Sequence, residues 1–205
     1  MSLTEERRAL LAEIKSEWDR AEEDIKTAEQ VTRNIVIPAI KELRYAGRRL
    51  ADALFFMLTD EDSDEVRKLL DDARFNCHRA RHDAIDAATS AIAAELQICM
   101  AHLGEDAVLR AYPSFPDLLS EVDGLRERIA ESRRERENRE RIYTVLEGQD
   151  FPELVKQFRA FKRCRPIMEG LARRTRLHLL LGYAFGVGGI LVAMLGIFVS
   201  MLIAN

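Results

Sequence analysis

The sequence predicts an all-α protein, an antiparallel bundle of four to five helices followed by a single C-terminal transmembrane helix. Three observations lead to this prediction. Apolar residues recur three and four positions apart along most of the chain, which is the spacing of one helix face. No stretch alternates between apolar and polar residues for long enough to indicate a sheet. Residues 179–204 contain neither a charged residue nor a proline.

Two apolar seams on either side of Pro38 mark the first helical elements. Proline removes a backbone donor and clashes with the preceding turn, so the first helix should end or kink near Val36. Two helices and one long kinked helix are both compatible with this pattern. The first seam is Leu11, Ile14, Trp18, Ala21, Ile25 and Ala28, and the second is Ile40, Leu43, Gly47, Leu50, Leu54 and Met57.

The middle of the chain predicts two more long helices. The first runs from about residue 63 to about His102, with Gly104 as its C-cap. Alanines on its apolar stripe permit close helix packing. Residues 104–116 are expected to form a loop. The next helix is expected from about Asp117, with Pro116 at its start, to Glu147, and a break follows at 148–150. The alanine-rich stripe comprises Val66, Leu70, Ala73, Cys77, Ala80, Ala84, Ala87 and Ala91.

The apolar C-terminal run divides the chain into three predicted parts. These are a cytoplasmic helical bundle (1–149), a basic juxtamembrane helix (150–177) that Pro166 kinks, and a transmembrane helix (178–204). Fourteen of residues 179–204 are Leu, Ile, Val or Phe. At roughly −0.3 to −0.6 kcal/mol each, they favour insertion by about 4–8 kcal/mol. A buried core helix is the alternative, although a core helix of this length is rarely apolar all round.

A basic segment precedes the predicted span. Residues 155–176 carry a net charge of +7, whereas residues 1–154 carry −11. Because positive flanks stay inside, the N-terminal body is expected in the cytoplasm, as a single-pass, tail-anchored protein of the cell inner membrane. Contact with lipid head groups is assigned to Lys162, Arg163, Arg165, Arg173, Arg174 and Arg176. The cysteines Cys77, Cys99 and Cys164 show no disulfide-framework spacing, which suits reduced thiols in that compartment.

Small residues form one face of the predicted span. They follow each other at spacings of four and three and include the motif Gly182-Tyr-Ala-Phe-Gly186. Small faces let membrane helices approach closely, so this face predicts a homo-oligomer interface, with a protein partner as a further candidate. An oligomeric pore is an alternative, although the span has few of the polar side chains that usually line a water-filled channel. The interface residues are Gly182, Gly186, Gly189, Ala193, Gly196 and Ser200.

The densest polar cluster lies between Arg74 and Asp86. His78, His82 and Asp86 follow each other at intervals of four, so one helix face carries two imidazoles and a carboxylate. That pattern is compatible with a metal, but a pH-sensitive or hydrogen-bonded face is the preferred interpretation. No metal site and no cofactor is therefore assigned, and Arg74, His78, His82 and Asp86 are kept as a candidate polar site. Acids interleave the basic residues of the body, which makes nucleic acid an unlikely partner.

The segment 64–86, DEVRKLLDDARFNCHRARHDAID, resembles helices of HEPN-type bundles. Such bundles occur in bacterial antiphage and CRISPR-accessory proteins, some of them joined to membrane spans. Ribonuclease members place four to six residues between an arginine and a histidine. Here the intervals are three from Arg74 to His78, seven from Arg74 to His82, and two from Arg79 to His82. The resemblance thus implies a non-catalytic member.

These patterns together predict a non-enzymatic, self-associating membrane effector or scaffold, with antiphage defence as a candidate setting. The sequence has no Gly-rich phosphate loop, G-x-S-x-G or C-x-x-C motif. Two alternatives stay open. One is a membrane-tethered HEPN-like module that binds or cleaves RNA, and the other is an oligomeric pore-forming effector.

Overall fold

The computed structural model describes residues 4–59, 64–134 and 139–203, and for residues 59, 139, 140 and 195–203 it describes the backbone alone. Every regular element within these ranges is helical, which confirms the all-α class and the helical bundle. The elements are α1 (Glu5–Thr32), α2 (Ile37–Thr59), α3 (Asp64–Leu103), α4 (Glu105–Ala111), α5 (Phe115–Arg134), α6 (Arg139–Val145), a π-helical turn (Leu146–Asp150), α7 (Phe151–Arg163) and α8 (Arg165–Ile203).

The chain forms two compact units. The first comprises Met1–Gln97 and Pro116–Arg159, and the second comprises Ile98–Phe115 and Ala160–Asn205. Residues 98–115 belong to the same unit as the C-terminal helix.

A sharp turn separates α1 from α2. Arg33 adopts a left-handed conformation (φ 56°, ψ 23°), and its N–H donates to the carbonyl of Glu29 at 2.8 Å. Pro38 then lies in the first turn of α2, where its missing N–H leaves no helical bond unmade. The Trp18 ring packs over Gly47, so α2 folds back along α1. The interpretation as one long kinked helix is therefore wrong.

The seam of α2 is shifted by one position at most of the predicted positions, whereas Leu50 and Met57 pack in the core as predicted. Ala39, Ala46 and Ala53 are fully buried, whereas Ile40 is 42% and Leu54 is 53% exposed. Alanines let α2 approach its neighbours closely, so at these positions the small residues and not the adjacent larger ones are buried. The α1 seam was predicted correctly, and part of it joins the core of this unit. One cluster of that core comprises Ile14, Ala53, Met57, Val66, Leu69, Leu70 and Ala73, with Leu10, Leu11 and Leu50 packed against it.

The stripe of α3 is confirmed as far as Ala84 and then shifts. Ile85, Ala88 and Ile92 are fully buried, whereas Ala87 and Ala91 are only half-buried. An α-helix has 3.6 residues per turn, so a strict seven-residue pattern drifts around it by about 20° per repeat. The drift carries the core face onto the next residues in the sequence.

The second unit contains a helix where a loop was predicted. Residues 105–111 form α4, and Gly104 before it has a positive φ of 84°, a conformation that glycine adopts without strain. Val108 is fully buried, and α4 packs against α8. Tertiary burial thus stabilises a helix too short to form alone. Nearby, the Cys99 thiol contacts the Met168 sulfur at 3.9 Å.

The predicted break at 148–150 is absent. The backbone continues from Arg139 to Arg163 as helix, through the π-helical turn. Such a turn inserts one extra residue into a helix and is frequent at functional positions. The helix is instead interrupted at Cys164, between α7 and α8. Pro166 lies in the first turn of α8 and does not kink it. Of the charged stretch 133–141, residues 135–138 lie outside the described ranges.

Candidate functional site

The C-terminal half of α8 is almost wholly exposed as far as its side chains are described, which is to residue 194. We call residues 177–194 the apolar segment. All of them are exposed except the half-buried Gly188, and the exposed fraction reaches 67% at Leu180, 78% at Phe185 and 72% at Val192. None of the apolar window in α8 is buried. Among the described residues, α3 is the other helix long and apolar enough to cross a membrane, and 44% of its window is buried.

The small residues of the apolar segment leave an open face. Gly182 and Gly186 line a groove of about 430 Å³, and a Cβ built on either glycine would meet nothing within 4 Å. Gly189 is equally open. Ala193 is exposed on the same helix, while Gly196 and Ser200 fall where only the backbone is described. The remaining groove residues are His178, Leu179, Tyr183, Val187 and Ile190.

The predicted head-group residues lie between the end of α7 and the start of the apolar segment. Arg163, Arg173 and Arg174 are exposed, and Lys162 is half-buried. Arg165 is exposed and pairs with Glu169 at 3.1 Å. Arg176 donates to the carbonyl oxygen of His102, which ties α8 to the C-terminal end of α3.

A polar cavity of about 860 Å³ lies within the first unit. Arg74, His78 and His82 of the predicted polar site line it, but Asp86 does not and instead forms an ion pair with Arg133 at 2.6 Å. The predicted site is thus brought together in part. The lining side chains with a titratable group are Glu13, Glu17, Arg20, Glu23, Asp24, Asp71, Arg74, His78, Arg81, His82, Tyr143 and Glu147.

Arg81 is the centre of this cavity. Its side chain is 8% exposed and contacts three carboxylates from two other elements. The Nη1 atom donates to Glu17 Oε2 at 2.8 Å and the Nε atom to Asp24 Oδ2 at 3.0 Å. The Nη2 atom lies 2.5 Å from Glu147 Oε2. We call these four residues the ionic network. One guanidinium facing three carboxylates leaves the ionised network with a net charge of −2.

Both histidines lie beside carboxylates of the ionic network. His78 Nδ1 is 3.5 Å from Glu17 Oε2, and His82 Nε2 is 3.7 Å from Glu147 Oε1. The His82 ring also stacks on Tyr143, with centroids 3.1 Å apart and planes at 15°. The two histidines therefore contact two different carboxylates of the ionic network. Among the described residues, no group of three or more His, Cys, Asp or Glu side chains is arranged to hold a metal.

Burial shifts the proton affinity of the ionic network. It raises the pKa of Glu147 to about 7, against the opposing charge of Arg81 and with the help of Asp24 and Glu17. Burial also raises the pKa of Asp24, although the hydrogen bond from Arg81 lowers it in part. Burial alone would lower the pKa of Arg81, but its three carboxylates together outweigh that effect and raise it. Glu147 can therefore gain or lose a proton near neutral pH.

Sequence reasoning missed Glu17, Asp24, Arg81 and Glu147, which are the most tightly connected groups of the cavity. Glu17 lies in the apolar repeat of α1 next to Trp18, which is a weak signal that a charged residue faces inward. Glu147 is positioned by the π-helical turn, which no pattern in the sequence predicts. Comparison of this chain with protein families, with curated proteins and with solved structures finds no match. The resemblance to HEPN-type bundles stays a prediction.

Proposed function

We propose that this protein is a non-enzymatic, membrane-anchored helical scaffold or effector whose α8 crosses a bilayer. The observation that carries the proposal is the exposure of the whole apolar segment. A contiguous apolar surface of this size is unfavourable in water. Lipid acyl chains would cover the apolar side chains on all sides of this helix. The described span from Leu177 to Ile203 would measure about 40 Å at 1.5 Å per residue, enough for a hydrocarbon core of about 30 Å.

Only α8 serves as the span in this proposal. The window in α3 is already partly buried, and α3 also supplies Arg81 to the ionic network. Moving that helix into lipid would expose an arginine and break its three ion pairs. The cations that precede the apolar segment, among them Arg173, Arg174 and Arg176, favour a cytoplasmic position for the helical body.

The proposal includes self-association through the small face of α8. Lipid tails are as apolar as leucine, so helices associate in a bilayer through close packing and not through the hydrophobic effect. The open groove at Gly182 and Gly186 offers such packing to a second copy of the same helix. A scaffold that presents several bodies on one membrane surface would follow from this contact.

Membrane insertion is tested first. The full chain, expressed in bacteria, is expected in the membrane fraction after washing with alkaline carbonate. A thiol-reactive reagent added from the outside should leave a cysteine introduced at Glu127, an exposed position of α5, unlabelled until the membrane is permeabilised. Complete release by carbonate would overturn the anchor, and labelling in intact cells would overturn the orientation.

Self-association is tested with a matched pair of variants. Gly182→Leu with Gly186→Leu fills the groove, whereas Gly188→Leu makes the same change on another side of the helix. Cross-linking in native membranes should show an oligomer for the unmodified chain and for Gly188→Leu, and a monomer for the double variant. Equal cross-linking of all three chains would exclude this interface.

A further inference from the structure

Exposed large apolar residues of the first unit are concentrated on α2 and the turn before it. Phe55 is 64% exposed, Leu58 is 76%, Leu54 is 53% and Ile37 is 57%. Elsewhere in the described part of this unit, Phe75 and Val145 are the exposed large apolar residues. An apolar surface concentrated on one element of an otherwise charged body indicates a site of contact with another protein or with a membrane.

Five of the seven exposed large apolar residues of α2 share one side of the helix, and Tyr45 and Phe56 lie outside it. At 100° per residue, Ile37, Ile40, Leu54, Phe55 and Leu58 fall within an arc of about 100°. The buried residues Ala39, Ala46, Ala53 and Met57 turn to the opposite side and join the core. The helix therefore uses one face for folding and leaves a second apolar face outside.

Cations occupy the middle of that outer face. Lys41, Arg44 and Arg48 are exposed between the two apolar ends of α2, whereas Arg49 pairs with Asp72 of α3 at 3.6 Å. Two acids accompany them on α2. Glu42 is buried and pairs with Arg79 at 3.0 Å, and Asp52 pairs with Arg48 at 3.1 Å. The outer face thus combines apolar side chains with an excess of positive charge, which is the composition of helices that lie in a membrane interface.

We propose that the outer face of α2 rests on the surface of an anionic bilayer and gives the protein a second membrane contact besides α8. The apolar ends would enter the boundary between head groups and acyl chains, and the cations would meet lipid phosphates. This inference rests on the proposed function, which brings the protein to a membrane, and it adds α2 as the place where the helical body contacts that membrane. Such a contact would hold the first unit against the membrane surface.

A second copy of the chain fits this face less well than lipid does. Two copies paired in parallel along this face would place Arg44 and Arg48 opposite the same residues of the second copy. Like charges directly opposite each other disfavour such a pairing. Anionic head groups instead supply the opposite charge along the whole centre of the face.

The test uses the full chain in vesicles, with a fluorescent probe on a cysteine at Leu58 and Cys164 replaced by serine. Cys77 and Cys99 are buried and can stay. Nitroxide-labelled lipids should quench the probe strongly in vesicles that contain phosphatidylglycerol and weakly in phosphatidylcholine vesicles. A probe at Glu127, on α5, is the matched control and should be quenched weakly in both. Arg44→Glu with Arg48→Glu should reduce quenching at 58 to the level at 127.

The outcomes separate this inference from the anchor. A carbonate-resistant chain whose probe at 58 is quenched no more than the probe at 127 would overturn the α2 contact and leave the anchor intact. A chain that binds anionic vesicles only, is quenched at 58 and is released by carbonate would support α2 and overturn the anchor. Protection of the probe that rises with protein concentration in detergent, without lipid, would show a second copy on this face and overturn the proposal.

Discussion

The apolar segment of α8 and the ionic network around Arg81 reverse the usual arrangement of a soluble protein. In α8, residues such as Leu180 and Phe185 are exposed on all sides. In the first unit, Arg81, Glu17 and Glu147 have side chains at most 10% exposed. Each region is stable only in suitable surroundings. Under the proposal, lipid surrounds the apolar segment. The ionic network is instead stabilised by the opposite charges that face each other inside the bundle.

The two regions differ in the kind of substitution that destabilises them. An apolar helix in lipid tolerates exchange of one apolar residue for another but not the arrival of a charge. A buried ionic network tolerates no loss of a partner, because the remaining charges stay desolvated. Substitutions that change the charge of one region at a time can therefore test the comparison.

The largest effect is expected from charges in the apolar segment. Val187→Arg together with Leu191→Arg should oppose insertion by about 5–7 kcal/mol, since one arginine near a helix centre costs about 2.5–3.5 kcal/mol. The measurement is the share of the chain that resists carbonate extraction. Val187→Leu with Leu191→Val is the control and should behave as the unmodified chain. Undiminished resistance of the arginine variant would contradict a span at this position.

Removal of the central cation should destabilise the bundle next most strongly. Arg81→Met leaves three buried carboxylates without their common partner and should lower the free energy of unfolding by about 3–5 kcal/mol. Urea unfolding in detergent, followed by the fluorescence of Trp18, the single tryptophan, measures this change. A loss no larger than that of Arg74→Met would show that Arg81 is not the centre of the network.

Glu147 should make stability depend on pH. Its pKa is raised from 4.5 to about 7, so the folded chain holds the proton more tightly than the unfolded chain does. The resulting stability is present below pH 4.5 and is lost as the pH rises through 7, by at most about 3 kcal/mol. Glu147→Gln should reduce the difference in unfolding free energy between pH 5 and pH 8.

The control for this pH dependence is Glu153→Gln. A hydrogen bond from Lys156 lowers the pKa of Glu153, which lies on the surface, so this change should leave the difference between pH 5 and pH 8 nearly as it was. If Glu147→Gln and Glu153→Gln gave the same profile, Glu147 would not be the group that titrates.

The smallest effect is expected at the rim of the cavity. Arg74 Nη1 lies 3.0 and 3.1 Å from the two oxygens of Glu13, and both side chains are more than a third exposed. Water screens such a pair, so Arg74→Met should cost less than about 1 kcal/mol in the same unfolding measurement. A loss as large as that of Arg81→Met would show that the cavity rim and its centre act as one unit.

The sequence predicted the features that depend on neighbours along the chain. The periodicity of α1 and α3 predicted helices and most of their buried residues, because one face of a helix must be apolar to pack. Composition alone marked residues 179–204 as a candidate span. The histidine spacing likewise placed Arg74, His78 and His82 on one helix, where they line one cavity.

The tertiary structure decided which face of α2 is buried, since close packing favoured Ala39, Ala46 and Ala53 over Ile40 and Leu54. It decided that residues 105–111 form a helix, because burial of Val108 stabilises it. Tertiary structure also assembled the ionic network from α1, α3 and the π-helical turn, whose residues are up to 130 positions apart. Local sequence carries periodicity and composition, but the burial of a charge depends on partners that only folding brings within hydrogen-bonding distance.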